Sequence, residues 1–124
     1  MDHRKILIVD DEAMIAEELS EFLESLDYPC ASATSVDDAL ALINSDEAIT
    51  LVLTDMRMPG KDGIDLLKAL ATYEDREFQC VVISGHLDAD QEIAGMTAMP
   101  VSVMRKPVDI GEVVSFLESL SFVS

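Results

Sequence analysis

Short apolar runs alternate with longer segments of helical periodicity, and this alternation restricts the fold more than any other feature of the sequence. Five runs have the length of strands: 5–10, 28–33, 50–55, 79–84 and 101–105. Five intervening segments have the apolar spacing of one helix face or a helix-capping signal: 12–26, 35–43, 63–73, 88–97 and 109–120. Five strands alternating with five helices predict an α/β fold with a parallel sheet covered on both faces.

Prolines indicate the order of the strands. Because proline cannot donate to a strand ladder, it belongs at sheet edges or strand starts. Pro29 lies in the second predicted strand and Pro100 just before the fifth, whereas the other three runs contain none. This favours the flavodoxin-like, doubly wound order 2-1-3-4-5. Cys30 and Cys80 would then lie roughly 14 Å apart. That is too far for a disulfide.

Two helices carry predictions for individual residues. The first is predicted to bury one face, and the second to begin after Ser35 as N-cap, with Asp38 in a capping-box position. The apolar residues that define the face of the first helix are Ile15, Leu19, Phe22, Leu23 and Leu26.

Composition excludes several classes of function. The chain has 124 residues, and we expect one domain over 1–124. Its formal charge of −17 disfavours direct nucleic-acid binding. No apolar run reaches the roughly 18 residues of a membrane span. The N-terminal apolar run 6–9 is also too short for a signal peptide. We therefore expect a cytoplasmic protein without membrane insertion.

Polar residues follow four of the predicted strands at their carboxyl ends, where open sheets of this order bind ligands. These residues are Asp10-Asp11, Asp55, Ser84-Gly85 and Lys106-Pro107. Three carboxylates in one place require a cation, and Mg²⁺ is a suitable one, since it takes oxygen ligands. Lys106 adds a point charge for a phosphoryl oxygen, Ser84 a hydroxyl, and Gly85 space. Together they indicate a phosphoryl-transfer site with an aspartate as acceptor.

Each of these signals has an ordinary structural explanation. Asp10-Asp11 would equally well cap the helix that follows. Asp55 alone is better explained as a turn residue. Ser84 alone is explained as a residue at which the chain passes from a strand into a loop. Lys106 alone is explained as a solvated lysine before a helix. Their joint placement at four carboxyl ends of one sheet is what favours a site.

Four segments resemble the signature of bacterial response-regulator receiver domains, the CheY-like family: IVDDE (8–12), LTDMRMPGKDG (53–63), ISG (83–85) and RKP (105–107). The resemblance extends over essentially the whole chain. It implies a single receiver domain of a two-component system, which accepts a phosphoryl group from a histidine kinase or a histidine phosphotransfer protein.

The resemblance also implies roles around the acceptor. Asp55 would be the phosphoacceptor and a metal ligand. Asp11 would bind Mg²⁺ directly and Asp10 largely through water, with the backbone carbonyl of Arg57 as a further ligand. Arg57 and His86, two positions after Asp55 and Ser84, occupy places that tune the lifetime of the acyl phosphate in such domains.

The remaining motif residues would contact the phosphoryl group or support those that do. Ser84, beside Gly85, would bond a phosphoryl oxygen in the active state. Lys106 would pair with Asp55 or its phosphate. Pro107 would hold the peptide that positions Lys106, typically in the cis form that X–Pro permits.

The chain departs from the family around the fifth strand. Val103 stands where the family carries a switching aromatic, and valine is too small and stiff to take that role. The pair Met99-Pro100 and Val108 also differ from the usual residues. We expect the switch surface to comprise helix 88–97, strand 101–105 and helix 109–120. In the family this surface commonly binds targets or forms homodimers.

Two expectations concern the methionines and the stability of that surface. Met104 is predicted to fill the core, whereas Met96 and Met99 suit core or partner surface equally. Helix 88–97 contains Gly95 and few large apolar residues, so it is the predicted mobile element.

The predicted function is a phosphorylation-dependent signalling switch rather than an enzyme, apart from self-phosphorylation and autodephosphorylation. One alternative is a pseudo-receiver that docks partners independently of phosphate, which Val103 permits. Another is a small aspartyl-phosphate phosphatase, although the chain lacks length for a substrate cap. The downstream target is not indicated by the sequence.

Overall fold

The computed structural model describes residues 4–85 and 101–120, which contain a five-stranded parallel sheet. Its strands are β1 (Lys5–Val9), β2 (Cys30–Ala33), β3 (Ile49–Asp55), β4 (Gln79–Ser84) and β5 (Val101–Arg105). They lie in the order β2-β1-β3-β4-β5. The predicted strand order is therefore correct, although Pro29 precedes β2 instead of lying within it. As an N-substituted residue it contributes only its carbonyl, which accepts from the Ile6 amide at 2.9 Å.

The described residues contain four helices, and the predicted helix 88–97 lies outside them. So do His86, Gly95, Met96, Met99 and Pro100. Ser35 accepts a hydrogen bond from the Asp38 amide at the start of the second helix, as predicted. The four helices are α1 (Ala13–Ser25), α2 (Val36–Ser45), α3 (Gly63–Leu70) and α4 (Ile110–Ser119), the last being the fifth of the sequence prediction.

The sheet separates two cores, as a doubly wound fold requires. On one face α2 and α3 pack through Ile43, Leu66 and Leu67; on the other α1 and α4 pack through Leu23 and Leu117. Adjacent strand residues alternate between these cores, since successive side chains of a strand point to opposite faces. Met104 is 5% exposed and belongs to the core under α1 and α4, so it fills the core as predicted.

The predicted buried face of α1 is partly wrong. Leu19 and Leu23 are buried, but Ile15, Phe22 and Leu26 are 42%, 41% and 43% exposed. The buried stripe instead contains Ala16 and Ser20, at positions i and i+4 relative to each other, together with the two leucines. The three exposed residues lie roughly 90° around the helix from the centre of this stripe, so the sheet does not cover them.

Helix α3 ends three residues before the predicted Tyr73. The Tyr73 hydroxyl donates to Asn44 Oδ1 at 2.6 Å, and its ring packs edge-on against Phe78 with centroids 5.4 Å apart. These tertiary contacts hold Tyr73 outside the helix.

The described residues contain neither a disulfide bond nor a helix suited to span a membrane. Cys30 and Cys80 are both free thiols, on strands separated by β1 and β3, in agreement with the prediction. Among the described helices, none has the length and apolar character needed to cross a membrane.

Candidate functional site

Asp55 ends β3, the central strand of the sheet, and its residue is only 5% exposed. It pairs with Ile83 of β4. The Met56 amide also donates to the Ile83 carbonyl at 3.0 Å. Pairing with β4 on both sides of the Asp55–Met56 junction therefore fixes the backbone that carries this carboxylate.

Asp10 and Asp11 follow β1 at the same edge of the sheet. Asp10 is 8% exposed, and its Oδ1 accepts a hydrogen bond from the Glu12 amide at 2.9 Å, just before α1. Asp11 is exposed to solvent. This bond is not a helix cap, because the N-cap of α1 is Glu12 and no side chain caps the helix, so the alternative explanation of Asp10-Asp11 as caps is wrong.

The three carboxylates converge. One oxygen of each of Asp10, Asp11 and Asp55 lies within 4.8 Å of the others. Burial raises the pKa of Asp10, the Glu12 amide opposes the rise, and the Asp55 charge adds to it. Converging negative charge of this kind is unfavourable unless a cation joins it.

Lys106 supplies one cation from the segment after β5. Its Nζ lies 2.9 Å from Asp55 Oδ1. Burial alone would lower the pKa of Lys106, but the hydrogen bond to Asp55 and attraction to all three carboxylates raise it above its usual value. The ammonium group is therefore protonated at neutral pH and bound to the predicted acceptor.

Ser84 and Pro107 lie beside this pair. Ser84 is the last residue of β4 and 2% exposed, and its carbonyl accepts from the Lys106 amide at 3.0 Å. The Lys106–Pro107 peptide bond is cis, as the resemblance implies. Around Gly85, no described atom lies within 4 Å of where a Cβ would stand. Arg57 is exposed two residues after Asp55, whereas His86 falls outside the described residues.

Val103 does not connect the crevice to the surface. It pairs with Val82 of β4 and is half-buried against the core under α2 and α3. The valine side chain is too short to extend from the crevice to the surface. It therefore cannot change position with the phosphorylation state of Asp55 as a longer aromatic side chain would.

One surface near the crevice is missed by the sequence analysis. Met14, in the first turn of α1, is 72% exposed, and Ile15 beside it is 42% exposed. Ile15, Phe22 and Leu26 form an exposed apolar face of α1, and Met14 lies about 100° around the helix from it, next to Asp11 in the sequence. The signal in the sequence is an apolar arc of α1 wider than the sheet covers.

The donor set of the acidic cluster fits a hard divalent cation. Carboxylate oxygens are the ligands that Mg²⁺ takes, and it is usually held by one or two carboxylates with water and phosphate. Asp11 is the exposed member, and Asp10 and Asp55 are the buried ones. The cluster therefore presents negative charge on both the solvent side and the sheet side of a metal position.

Comparison with known families agrees with this geometry. The family model described as response regulator receiver domain matches residues 6–118. Among solved structures, a receiver domain protein from Clostridium thermocellum superposes with a TM-score of 0.82 at 27% identity, covering 94% of this chain and 92% of the other. A receiver protein from Pseudomonas putida has a TM-score of 0.84 at 26% identity, covering 96% and 98%.

Curated relatives are regulators of the same kind. The two-component response regulator PprB of Pseudomonas aeruginosa is 32% identical over 95% of this chain and 44% of its own length. The transcriptional regulatory protein FixJ of Bradyrhizobium diazoefficiens is 29% identical over 92% and 55%. The chain thus spans about half the length of the curated relatives it matches. It belongs to the response regulator receiver domain family of two-component systems.

Proposed function

We propose that this receiver domain is a phosphorylation switch in which Asp55 accepts a phosphoryl group from the phosphohistidine of a kinase or phosphotransfer protein. The supporting observation is a buried carboxylate, 2.9 Å from the Lys106 ammonium and within 4.8 Å of oxygens of Asp10 and Asp11. We further propose that 1–124 acts as one receiver domain, with no catalysis beyond its own phosphorylation and dephosphorylation.

The chemistry follows from the groups present. A carboxylate oxygen of Asp55 attacks phosphorus, the phosphorus–nitrogen bond of the phosphohistidine breaks, and the imidazole leaves with the bonding electrons. The product is an acyl phosphate. The Lys106 ammonium, already at Asp55, stabilises the phosphoryl oxygens, and the Ser84 hydroxyl donates to one of them. Attack of water on phosphorus later releases phosphate and restores the carboxylate.

The acidic cluster has a separate task. Asp10, Asp11, Asp55 and the backbone carbonyl of Arg57 would hold Mg²⁺, which when bound neutralises charge on the phosphoryl group. The amide of Glu12 holds one oxygen of Asp10 in place, so its carboxylate is oriented before any cation arrives.

The test uses acetyl phosphate and Mg²⁺, with intact-mass measurement of wild type and Asp55→Asn. Wild type should gain one acid-stable, hydroxylamine-labile phosphoryl group, and Asp55→Asn none. Asp75→Asn, an exposed aspartate remote in sequence from the motifs, is the matched control and should be phosphorylated like wild type. An adduct retained in Asp55→Asn would contradict the assignment.

Val103 favours one second candidate, a docking module that signals without phosphate. Residue 103 of β5 is a valine packed against the core, so β5 lacks the aromatic residue that usually switches position in this family. Failure of wild type both to bind Mg²⁺ and to form the adduct would support this candidate. Steady turnover of a small phosphoester would instead support a phosphatase. Amide shifts across β5 and α4 on addition of beryllofluoride would support a switch.

We also propose that Met14 and Ile15, the exposed apolar residues at the start of α1, contact the phosphodonor protein. Because Asp55 is 5% exposed, a donor histidine has to enter the crevice, and its protein then covers the rim. Met14 and Ile15 are the exposed apolar residues of α1 nearest that rim.

Replacing both Met14 and Ile15 by alanine should slow phosphotransfer from a phosphorylated histidine kinase about 30-fold, since two exposed apolar anchors at roughly 1 kcal/mol each contribute about 2 kcal/mol. Phosphorylation by acetyl phosphate, which needs no docking, should not change. Leu26→Ala is the control, because Leu26 is as exposed as Ile15 but lies about 16 Å further along the helix. Equal losses with both donors would contradict the docking role.

A further inference from the structure

We infer that Gly63 is a positioning residue for Asp55. It is the first residue of α3 and is buried, and it lies against the backbone of the proposed phosphoacceptor. A Cβ at this position would stand 2.6 Å from the Asp55 carbonyl oxygen and 3.1 Å from the Met56 Cα. The inference rests on the proposed role of Asp55 and concerns how that carboxylate is held.

Glycine is needed here for space. A positive φ among the glycines is found at Gly60, at 76°, and not at Gly63. Other residues can therefore adopt the backbone conformation of Gly63, and what excludes them is the contact. Because the opposing atoms are backbone atoms, no rotation of a side chain relieves it.

The backbone of Met56, the residue after the phosphoacceptor, is held by hydrogen bonds at both its amide and its carbonyl. The Met56 amide donates to the Ile83 carbonyl of β4 at 3.0 Å, and the Met56 carbonyl accepts from the Gly63 amide at 3.0 Å. Residues 56–63 therefore form a closed loop that begins directly after the phosphoacceptor and ends at the start of α3.

Two sets of contacts prevent α3 from moving away from the backbone of Asp55 and Met56. Asp62 and Asp65 form a reciprocal capping box at its start. Leu66 and Leu67 are 0% and 1% exposed in the same core as Met56. An added methyl group should thus displace the Asp55–Met56 peptide, and with it the carboxylate that pairs with Lys106.

The test is Gly63→Ala, compared with Gly111→Ala. Gly111 also lies in the first turn of a helix, but there a Cβ would meet only a side-chain oxygen, Asp109 Oδ1, at 3.2 Å. Per folded molecule, Gly63→Ala should be phosphorylated by acetyl phosphate roughly 10- to 100-fold more slowly, as misplacement of a reacting group implies. It should also bind Mg²⁺ more weakly, and Gly111→Ala should match wild type in both.

Metal-free protein provides an independent readout. Gly63→Ala should shift the amide resonances of Met56 and Lys106, and its crystal structure should show a longer Lys106 Nζ–Asp55 Oδ1 distance than 2.9 Å. Leu70→Ala, at the far end of α3, lowers stability through the core alone and should leave these signals unchanged. If wild type itself is not phosphorylated, the proposed function fails, while this readout still tests the position of Asp55.

A separate control distinguishes displacement of Asp55 from a loss of folding stability in Gly63→Ala. If Gly63→Ala does not fold, it is to be repeated in the Asp27→Gly, Thr50→Val background, whose two changes we expect to be stabilising. Failure to fold there would overturn the inference, because Gly63 would then serve the packing of α3. Normal Mg²⁺ affinity, phosphorylation and Asp55–Lys106 geometry in a folded variant would overturn it equally.

Discussion

At the scale of single residues, the site concentrates negative charge that the fold has to hold in place. Asp10 and Asp55 are both nearly buried, and their carboxylates lie within 4.8 Å of each other and of Asp11. Lys106 pairs with only one of them at hydrogen-bond distance in the described contacts. Repulsion among the carboxylates therefore lowers the stability of the metal-free protein, and that same repulsion favours a cation.

Asp10→Asn should raise the melting temperature of the metal-free protein by about 3 °C, since it removes one of the repelling charges. The amide oxygen can still accept from Glu12. The stabilisation by Mg²⁺ should become smaller, because a ligand that binds only the folded state stabilises in proportion to its affinity. Thermal unfolding in EDTA and in Mg²⁺ measures both effects, with Asp75→Asn as control. A lower melting temperature in EDTA would count against the repulsion.

Thr50 carries a buried polar atom whose partner is missing from the described contacts. Its Oγ1 is buried without a hydrogen bond. The residue is the extra one in β3, where Lys5 pairs with Ile49 but Ile6 with Leu51. A buried hydroxyl without a partner lowers stability.

Thr50→Val should therefore raise the free energy of unfolding by about 1 kcal/mol, since valine keeps the shape and removes the polar atom. Urea denaturation provides the measurement. Thr54→Val is the matched control, because the Thr54 hydroxyl donates to the Asp55 carbonyl at 3.0 Å. A gain in Thr54→Val as large as that in Thr50→Val would show that the missing hydrogen bond is not the cause.

At the scale of elements, α1 has an unfavourable C-terminus. Asp27 follows the helix with φ of 71°, a left-handed conformation that favours glycine. It also places negative charge where the carbonyls of the helix end point. The Tyr28 amide nevertheless donates to the Leu23 carbonyl at 3.0 Å, so the chain reverses as a glycine would direct it.

Asp27→Gly should stabilise the protein by about 0.5–1 kcal/mol for two reasons. Glycine adopts the left-handed conformation without steric strain, and the change removes a negative charge from the C-terminus of the helix. Asp27→Ala removes only the charge, so it should be less stable than the glycine variant. Chemical denaturation of the pair separates the two causes. Equal stability of Asp27→Gly and Asp27→Ala would exclude the backbone contribution.

At the scale of the whole molecule, the buried thiol of Cys80 makes the stability of the protein depend on pH in the alkaline range. Cys80 is 1% exposed, and burial raises its pKa from 9.0 to about 12. Above pH 9 the unfolded chain therefore loses the thiol proton while the folded chain keeps it. Since the unfolded state then binds fewer protons, the free energy of unfolding falls as pH rises.

Cys80→Ala should reduce this fall by about 1 kcal/mol per pH unit between pH 9 and 11. The measurement is urea denaturation across that range. Val82→Ala, a truncation in the same strand without an ionisable group, should keep the wild-type pH dependence. A Cys80→Ala slope equal to that of wild type would contradict the raised pKa.

Much of the fold and the composition of the site were predictable from the sequence. Local apolar runs, prolines and the polar residues after each strand specify the strand order and bring Asp55, Asp10, Asp11 and Lys106 to one edge. Such features are local or follow from chain connectivity, so they can be read without coordinates. The same local reading placed Ile15, Phe22 and Leu26 in the core, where the structure leaves them exposed.

What the sequence by itself determined is therefore the topology and the residues that meet at the carboxyl edge of the sheet. The tertiary structure alone decided which face of α1 is buried, which oxygen of Asp55 pairs with Lys106, and why Gly63 can have no side chain. These depend on distances of a few ångströms between segments far apart along the chain. Helical and strand periodicity restricts the direction of a side chain, but only packing sets how closely two elements approach.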